Sequence, residues 1–136
     1  MDLDAARDFV RGHSHTVLST MRKDGTPQLS PVAAAVDGAG LFVISSRETA
    51  FKVKNLRRDP RAWLCVLSDG FYGDWVFVEG TVEIVSLPDA MEPLVDYYRR
   101  VAGEHPDWDD YRAAMEREKR CLIRVSATHA GPDRQG

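Results

Sequence analysis

Cysteine is scarce: Cys65 and Cys121 are the only two in 136 residues, too few for a disulfide-stapled scaffold. Both lie in apolar runs and read as buried free thiols of a cytoplasmic protein. No apolar run approaches the ~20 residues needed to cross a bilayer, so no membrane partner is expected. The opening Met1-Asp2-Leu3-Asp4 is acidic where a signal peptide is basic, and no apolar stretch follows it. Positive charge is not in excess either, with 18 bases against 21 acids and a net charge of -3. A general nucleic-acid binder is normally basic overall, so that class is excluded. Catalytic signatures are missing as well. No Gly-x-Gly-x-x-Gly follows a strand, and there is no P-loop. No Ser-His-Asp or Cys-His set can be assigned. His13-x-His15 lacks a third ligand at metal-binding spacing, and His105 and His129 stand alone.

What is present is enough apolar material for a core, 43% of residues, along a chain of one-domain length. A single domain over residues 1–136 is expected, opening with a helix over Asp2–Gly12. Strands follow over Thr16–Met21, Gln28–Val36 and Leu41–Ser45. They are joined by the turn signals Asp24-Gly25 and Asp37-Gly38-Ala39-Gly40. Two successive hairpins make an antiparallel meander, unlike the strand–helix rhythm of a doubly wound sheet. A helix over Thr49–Arg58 ends at Asp59-Pro60. Ala62–Leu67, apolar on both faces, reads as a central strand. Ser68–Gly73 is a loop, and Trp75–Val85 a long strand with Gly80 marking a bulge, a bend or a close approach. Two helices follow. Met91, Leu94, Val95, Tyr98, Val101 and Ala102 form the first stripe, and Pro93 is tolerated near that helix's first turn. Asp107 caps the second, where Trp108, Tyr111 and Met115 share a face. Cys121–Val125 closes the sheet and 130–136 is a polar tail. The expected fold is α+β, mainly β: a six-stranded antiparallel split β-barrel with peripheral helices.

Three segments carry possible chemistry. Residues 47–61 hold six bases and two acids, a local +4, which leaves -7 for the remainder. On a helical wheel Lys54, Arg57, Arg58 and Arg61 share a solvent stripe, whereas Lys52 falls on the other side with Asn55 and Leu56. An inward lysine at a helix N-terminus, next to Ser45 and Ser46, suits an anion such as phosphate. The alternative is that Lys52 snorkels to water or pairs with Glu48 or Asp59. In 75–85, Val76, Val78, Gly80, Val82 and Ile84 form a core face. Trp75 and Phe77 on the opposite face point to an interface or a planar ligand, or to packing under a helix. Finally, the small residues of Pro27–Ala35 leave a smooth piece of sheet, open either to a flat ligand or to a tightly packed helix.

Taken in order, three runs resemble the pyridoxamine 5′-phosphate oxidase-like split-barrel flavoproteins. They are Thr20-Met21-Arg22-Lys23-Asp24-Gly25-Thr26-Pro27-Gln28-Leu29-Ser30-Pro31, Lys52-Val53-Lys54-Asn55-Leu56-Arg57-Arg58-Asp59-Pro60-Arg61 and Val78-Glu79-Gly80-Thr81. The run 102–112 is similar to the actinobacterial subclass that uses the deazaflavin coenzyme F420. The resemblance implies a homodimer with cofactor sites at the subunit interface. It implies that Gln28, Ser30, Pro31, Val32, Ser45, Ser46, Lys52 and Asn55 hold the cofactor, with Trp75 supplied by the partner subunit. The implied activity is an F420-dependent reductase of a small unsaturated or aromatic compound. An FMN-dependent enzyme and a non-catalytic F420- or flavin-binding protein are the alternatives. Relatives often carry arginine two positions before the lysine. Here that position is Ala50, so the implied site lacks one anion contact, and either phosphate or tail binding is weaker or Lys54 or Arg47 is borrowed for it.

Overall fold

The computed structural model describes residues 1–132; the last four residues of the expected tail lie outside the described residues. The elements are α1 (Leu3–Gly12), β1 (His15–Met21), β2 (Pro27–Ala33), β3 (Ala35–Val36), β4 (Phe42–Arg47), α2 (Phe51–Arg58), β5 (Arg61–Leu67), β6 (Trp75–Val85), α3 (Met91–Ala102), α4 (Trp108–Arg117) and β7 (Arg120–Gly131). One antiparallel sheet runs in the order β2-β1-β5-β6-β7-β4-β3. Its two edge strands, β2 and β3, are consecutive pieces of chain. The sheet therefore curls until it nearly closes, and the gap runs between β2 and β4.

The strand count is seven rather than six, because the expected strand over 28–36 breaks at Ala34. Ala34 turns its side chain into the barrel, while Ala35 packs outward beneath α3. β7 is also far longer than expected. Residues 126–131 continue it along β6, and Ala130 and Gly131 are buried strand residues opposite Val78 and Phe77, not tail. The register slips between Glu79 and Gly80. A Cβ on Gly80 would stand 2.4 Å from the Ser126 carbonyl oxygen. Gly80 thus marks both a bulge and a close backbone approach. α2 begins at Phe51, two residues later than expected. The β1–β2 hairpin turns through Gly25, whose φ of 85° suits glycine. Asp24 ties the turn by accepting from both the backbone and hydroxyl of Thr26.

Two apolar layers result. The barrel interior holds Leu18, Phe42, Ile44, Leu64, Val66, Val76, Val78, Ile123 and Val125. Ala6 and Val10 of α1 and Val53 and Leu56 of α2 pack into the same interior core. Each large side chain so buried contributes about 2 kcal/mol. The second layer lies outside the sheet. There Leu94 and Val95 of α3 and Tyr111 and Met115 of α4 cover Ala35, Val43 and Leu122. The aromatic stripes of the two helices are therefore core, with Tyr98, His105, Trp108 and Tyr111 in mutual ring contact. Asp107 caps α4 as expected, accepting from the Asp110 amide.

The helices α3 and α4 cover only part of the outer surface. The outward residues of β1, β5 and β6, among them Val17, Trp63, Cys65, Leu67, Trp75 and Phe77, are half-buried and have no described element packed over them. Cys65 is on this face and only half-buried, a correction to the expectation of two buried thiols; Cys121 is fully buried. Burial raises both thiols, Cys121 to about 11. No helix among the described residues is long and apolar enough to cross a membrane.

Candidate functional site

α2 divides its surroundings into two cationic cavities. The first, about 260 Å³, is lined by Ser45, Ser46, Arg47, Ala50, Lys52 and Arg120. Ser45, Ser46 and Lys52 therefore come together as the sequence suggested. Lys52 is half-buried, and among the described residues no hydrogen bond or ion pair engages its ammonium. Loss of water and the neighbouring Arg120 both lower its pKa from the ordinary value. Neither alternative acid is its partner. Glu48 binds Arg57 and Ser86, and Asp59 binds Arg61. The N-cap of α2 is Ala50, which offers no side-chain acceptor, and the first turn holds no acid. The backbone amides of Phe51 and Lys52 have no acceptor among the described residues. Half-buried ammonium, two hydroxyls and a bare helix N-terminus are the donor set of an anion seat. A phosphate-bearing cofactor fits it.

Ser46 contributes least as a donor, being buried with its hydroxyl bonded to the Arg47 carbonyl oxygen at 3.2 Å. Tyr97 was not legible in the α3 stripe, yet it braces this region. Its hydroxyl donates to the Ala33 carbonyl oxygen at 2.8 Å. Burial raises its pKa, opposed by the nearby Ser45 amide. It thus spans the gap between β2 and β4 where ladder bonds are missing.

The second cavity, about 650 Å³, lies on the other flank of α2, lined by Arg22, Lys23, Gln28, Phe51, Lys54, Asn55 and Arg58. Four cations and no acid face it. Among the described residues none of these four has an ion-pair partner, whereas ten other arginines pair with carboxylates. Phe51 is 71% exposed at its rim, with the Lys54 ammonium 5.4 Å from the ring centre. Asn55 is buried and spends its amide on Thr20 and on Gln28 Oε1 at 2.9 Å, which fixes Gln28 toward the cavity. The expected solvent stripe on α2 is therefore split. Arg57 and Arg61 are paired, and Lys54 and Arg58 line a cavity.

The remaining expected site residues lie elsewhere. Ser30, Pro31 and Val32 sit on the edge strand β2, outside both cavities. Trp75 stands at the end of β6 remote from α2, which approaches β6 where the Val82 amide bonds the Pro60 carbonyl oxygen. One chain alone does not join Trp75 to Lys52. Within the smooth segment Ala34 and Ala35 are buried in packing, Val32 leans on the barrel core, and Pro27, Leu29 and Pro31 are exposed. Beside Trp75, the loop at 68–74 exposes Phe71 (79%) and Tyr72 (97%). His129 lies outside both cavities, its ring 6.2 Å from that of Phe77.

Residues 3–131 match the family model for pyridoxamine 5′-phosphate oxidase. The chain belongs to that family. Among solved structures it is similar to a conserved hypothetical protein, Rv2991, of Mycobacterium tuberculosis. Identity is 30% over 96% of this chain and 82% of that one, at a TM-score of 0.77. An F420 reductase is 26% identical over 87% of this chain and 89% of its own, at a TM-score of 0.66. A putative pyridoxamine 5′-phosphate oxidase of Listeria innocua shares the fold at 14% identity, covering 95% of both chains at a TM-score of 0.69. The family and its fold are of an oxidoreductase type that binds flavin or related cofactors.

Proposed function

We propose that this protein is a homodimeric, F420-dependent reductase that passes hydride from the reduced deazaflavin to a small unsaturated or aromatic compound. The observation that carries the cofactor class is Lys52, half-buried without a counter-ion at the bare N-terminus of α2. An ammonium in that position costs stability unless an anion joins it, and phosphate is common to F420 and FMN. The second cavity favours the deazaflavin. FMN ends at its phosphate, but F420 continues into a carboxylate-bearing tail, and Arg22, Lys23, Lys54 and Arg58 offer that tail four unpaired cations. Similarity to an F420 reductase points the same way.

Ser45, Lys52 and the α2 amides would hold the phosphate, with Ser46 shaping the cavity wall, and Gln28, oriented by Asn55, would meet the ligand beside them. The edge strand at Ser30–Val32 would support the ring edge. The bound deazaflavin supplies two-electron hydride chemistry. The chain's own task is to bind, orient and keep water from the reacting face. No general acid is required of the protein, since solvent can supply the proton that completes a reduction. A second copy of the chain would cover the apolar outer face of β1, β5 and β6 and bring Trp75 of the partner subunit to the site. Phe71 and Tyr72, exposed on the loop before β6, border the same face.

Titration of purified protein with F420 and with FMN, followed by fluorescence, tests the reading. Tighter F420 binding, weakened by Lys54→Ala/Arg58→Ala while FMN binding is unchanged, is the expected result. Micromolar FMN binding with no F420 binding would overturn it in favour of an FMN enzyme. Binding without turnover of any reducible compound by the reduced cofactor would leave a carrier rather than a reductase.

A further inference from the structure

The wall of the Lys52 cavity opposite α2 is formed by the start of β7. Arg120 stands there directly across the ladder from Arg47. Like charges in that relation destabilise a sheet, and Lys52 brings a third cation to the same small cavity. One carboxylate, Glu118, serves both guanidiniums, at 2.8 Å from Arg120 and 3.6 Å from Arg47. The two arginines are not equivalent. Arg47 is 62% exposed at a loose distance, whereas Arg120 is 26% exposed. Arg120 uses both Nε and Nη2 on the same Glu118 oxygen, at 3.1 and 2.8 Å, which fixes its plane. Its Nη1 has no partner among the described residues. Meanwhile Ala50, facing the same cavity, has no donor to offer.

We infer that Arg120 is a second anion-binding residue of this cavity, acting with Lys52 on the phosphate of the ligand, and that Glu118 holds it in position. The inference rests on the reading of the site as the seat of a phosphate-bearing cofactor. It assigns the missing anion contact to a residue about 70 positions further along the chain. A planar guanidinium fixed by a carboxylate on one edge presents its other edge ready for an oxyanion, with little ordering left to do on binding.

The test compares each ligand with its phosphate-free form: FMN with riboflavin, and F420 with its deazaflavin–ribitol core. Dissociation constants are measured for the wild type, Arg120→Ala, Arg120→Lys and Arg112→Ala. Arg112 pairs with Glu92 on the helical side of the molecule and removes the same net charge at a distance. Arg120→Ala should weaken the phosphorylated ligand about tenfold, the loss of one charge-assisted contact. The phosphate-free form should be unaffected. Arg120→Lys should recover part of the loss, and Arg112→Ala should change neither form. If Arg120→Ala weakens both forms equally, or neither, Arg120 does not touch the phosphate and the inference falls. Should that variant fail to fold, the lysine variant decides by itself. A selective loss of two- to threefold for the phosphorylated form supports the inference, and no selective loss overturns it. A wild type that does not distinguish phosphorylated from phosphate-free ligand would refute the cofactor reading itself, whatever Arg120 does.

Discussion

Removing Lys52 should stabilise the ligand-free protein and destabilise the liganded one. The ammonium is half-buried, lacks a counter-ion and faces Arg120. Lys52→Met keeps the aliphatic stem and deletes the charge. With solvent screening at a half-exposed site, relief of repulsion and desolvation is worth about 0.5 kcal/mol. A chain of 136 residues unfolds with an entropy near 0.29 kcal/mol per degree, so the gain is about 2 °C in melting temperature. In the presence of ligand the order reverses. Saturation at 100 times the dissociation constant adds about 2.7 kcal/mol to the wild type, or roughly 9 °C. Loss of one charge-assisted contact of about 2 kcal/mol weakens the variant some 30-fold. The same ligand concentration then adds about 0.9 kcal/mol, roughly 3 °C.

Differential scanning fluorimetry with and without cofactor would therefore give crossing orders. The sign with pH is also determined. Lys52 titrates below the ordinary lysine value of 10.5 in the folded state. Between the two values the unfolded chain binds more protons, so wild-type stability rises with pH in that window. The advantage of the methionine variant should accordingly be full below the folded value and shrink as pH rises toward 10.5. A ligand-free Lys52→Met that melts below the wild type would show that the ammonium already has a favourable partner, and the anion-seat argument would fail.

Gly80→Ala places a Cβ 2.4 Å from the Ser126 carbonyl oxygen and 2.7 Å from Val125 Cγ1. Parting β6 from β7 should cost about 3 kcal/mol, or roughly 10 °C, and a loss under 1 kcal/mol by denaturant titration would mean the bulge yields freely. Phe77→Asp puts a charge in the uncovered outer face and should give a folded monomer by sedimentation; a persisting dimer would place the contact elsewhere. At Glu48, burial works to raise the carboxyl, but hydrogen bonds from Ser86 and Arg57 outweigh it and hold the pKa below 4.5. Its stabilisation is present above 4.5 and lost as pH falls through the lower folded value. Wild type and Glu48→Gln should therefore converge in melting temperature at acid pH, and a gap unchanged down to pH 2 would count against the pairing.

What the sequence made legible was local. Asp24-Gly25 located a hairpin because only nearby atoms, the Thr26 amide and hydroxyl, complete it. Asp107 located a cap for the same reason. Lys52 stood out because the partners that single it out lie on its own helix and on the strand just before. The features that escaped are those whose cause lies far along the chain. The break at Ala34 sits beside Tyr97, 64 residues beyond Ala33, whose hydroxyl takes up the Ala33 carbonyl oxygen at the gap between β2 and β4. The end of β7 at Ala130 and Gly131 reads as tail because the stretch leading to it, 126–129, is polar and largely exposed, and only pairing with Val78 and Phe77 makes it sheet.

Charge shows the same division. The local excess over 47–61 was visible as a count, but not its separation into paired and unpaired members. Arg57 and Arg61 find acids, while Lys52 on one flank of α2 and Lys54 with Arg58 on the other do not. That separation is a property of the fold, since it sets Arg57 on Glu48 and Arg61 on Asp59. Arg120 was invisible for a further reason. Nothing near it in sequence marks it except Glu118, and an acid two residues from a base reads as a neutral surface pair. Only the curl of the sheet, which lays the start of β7 against the end of β4, turns that pair into a wall of the Lys52 cavity. A site assembled from a helix end and two strand ends thus announces its first cation in sequence and its second only in three dimensions.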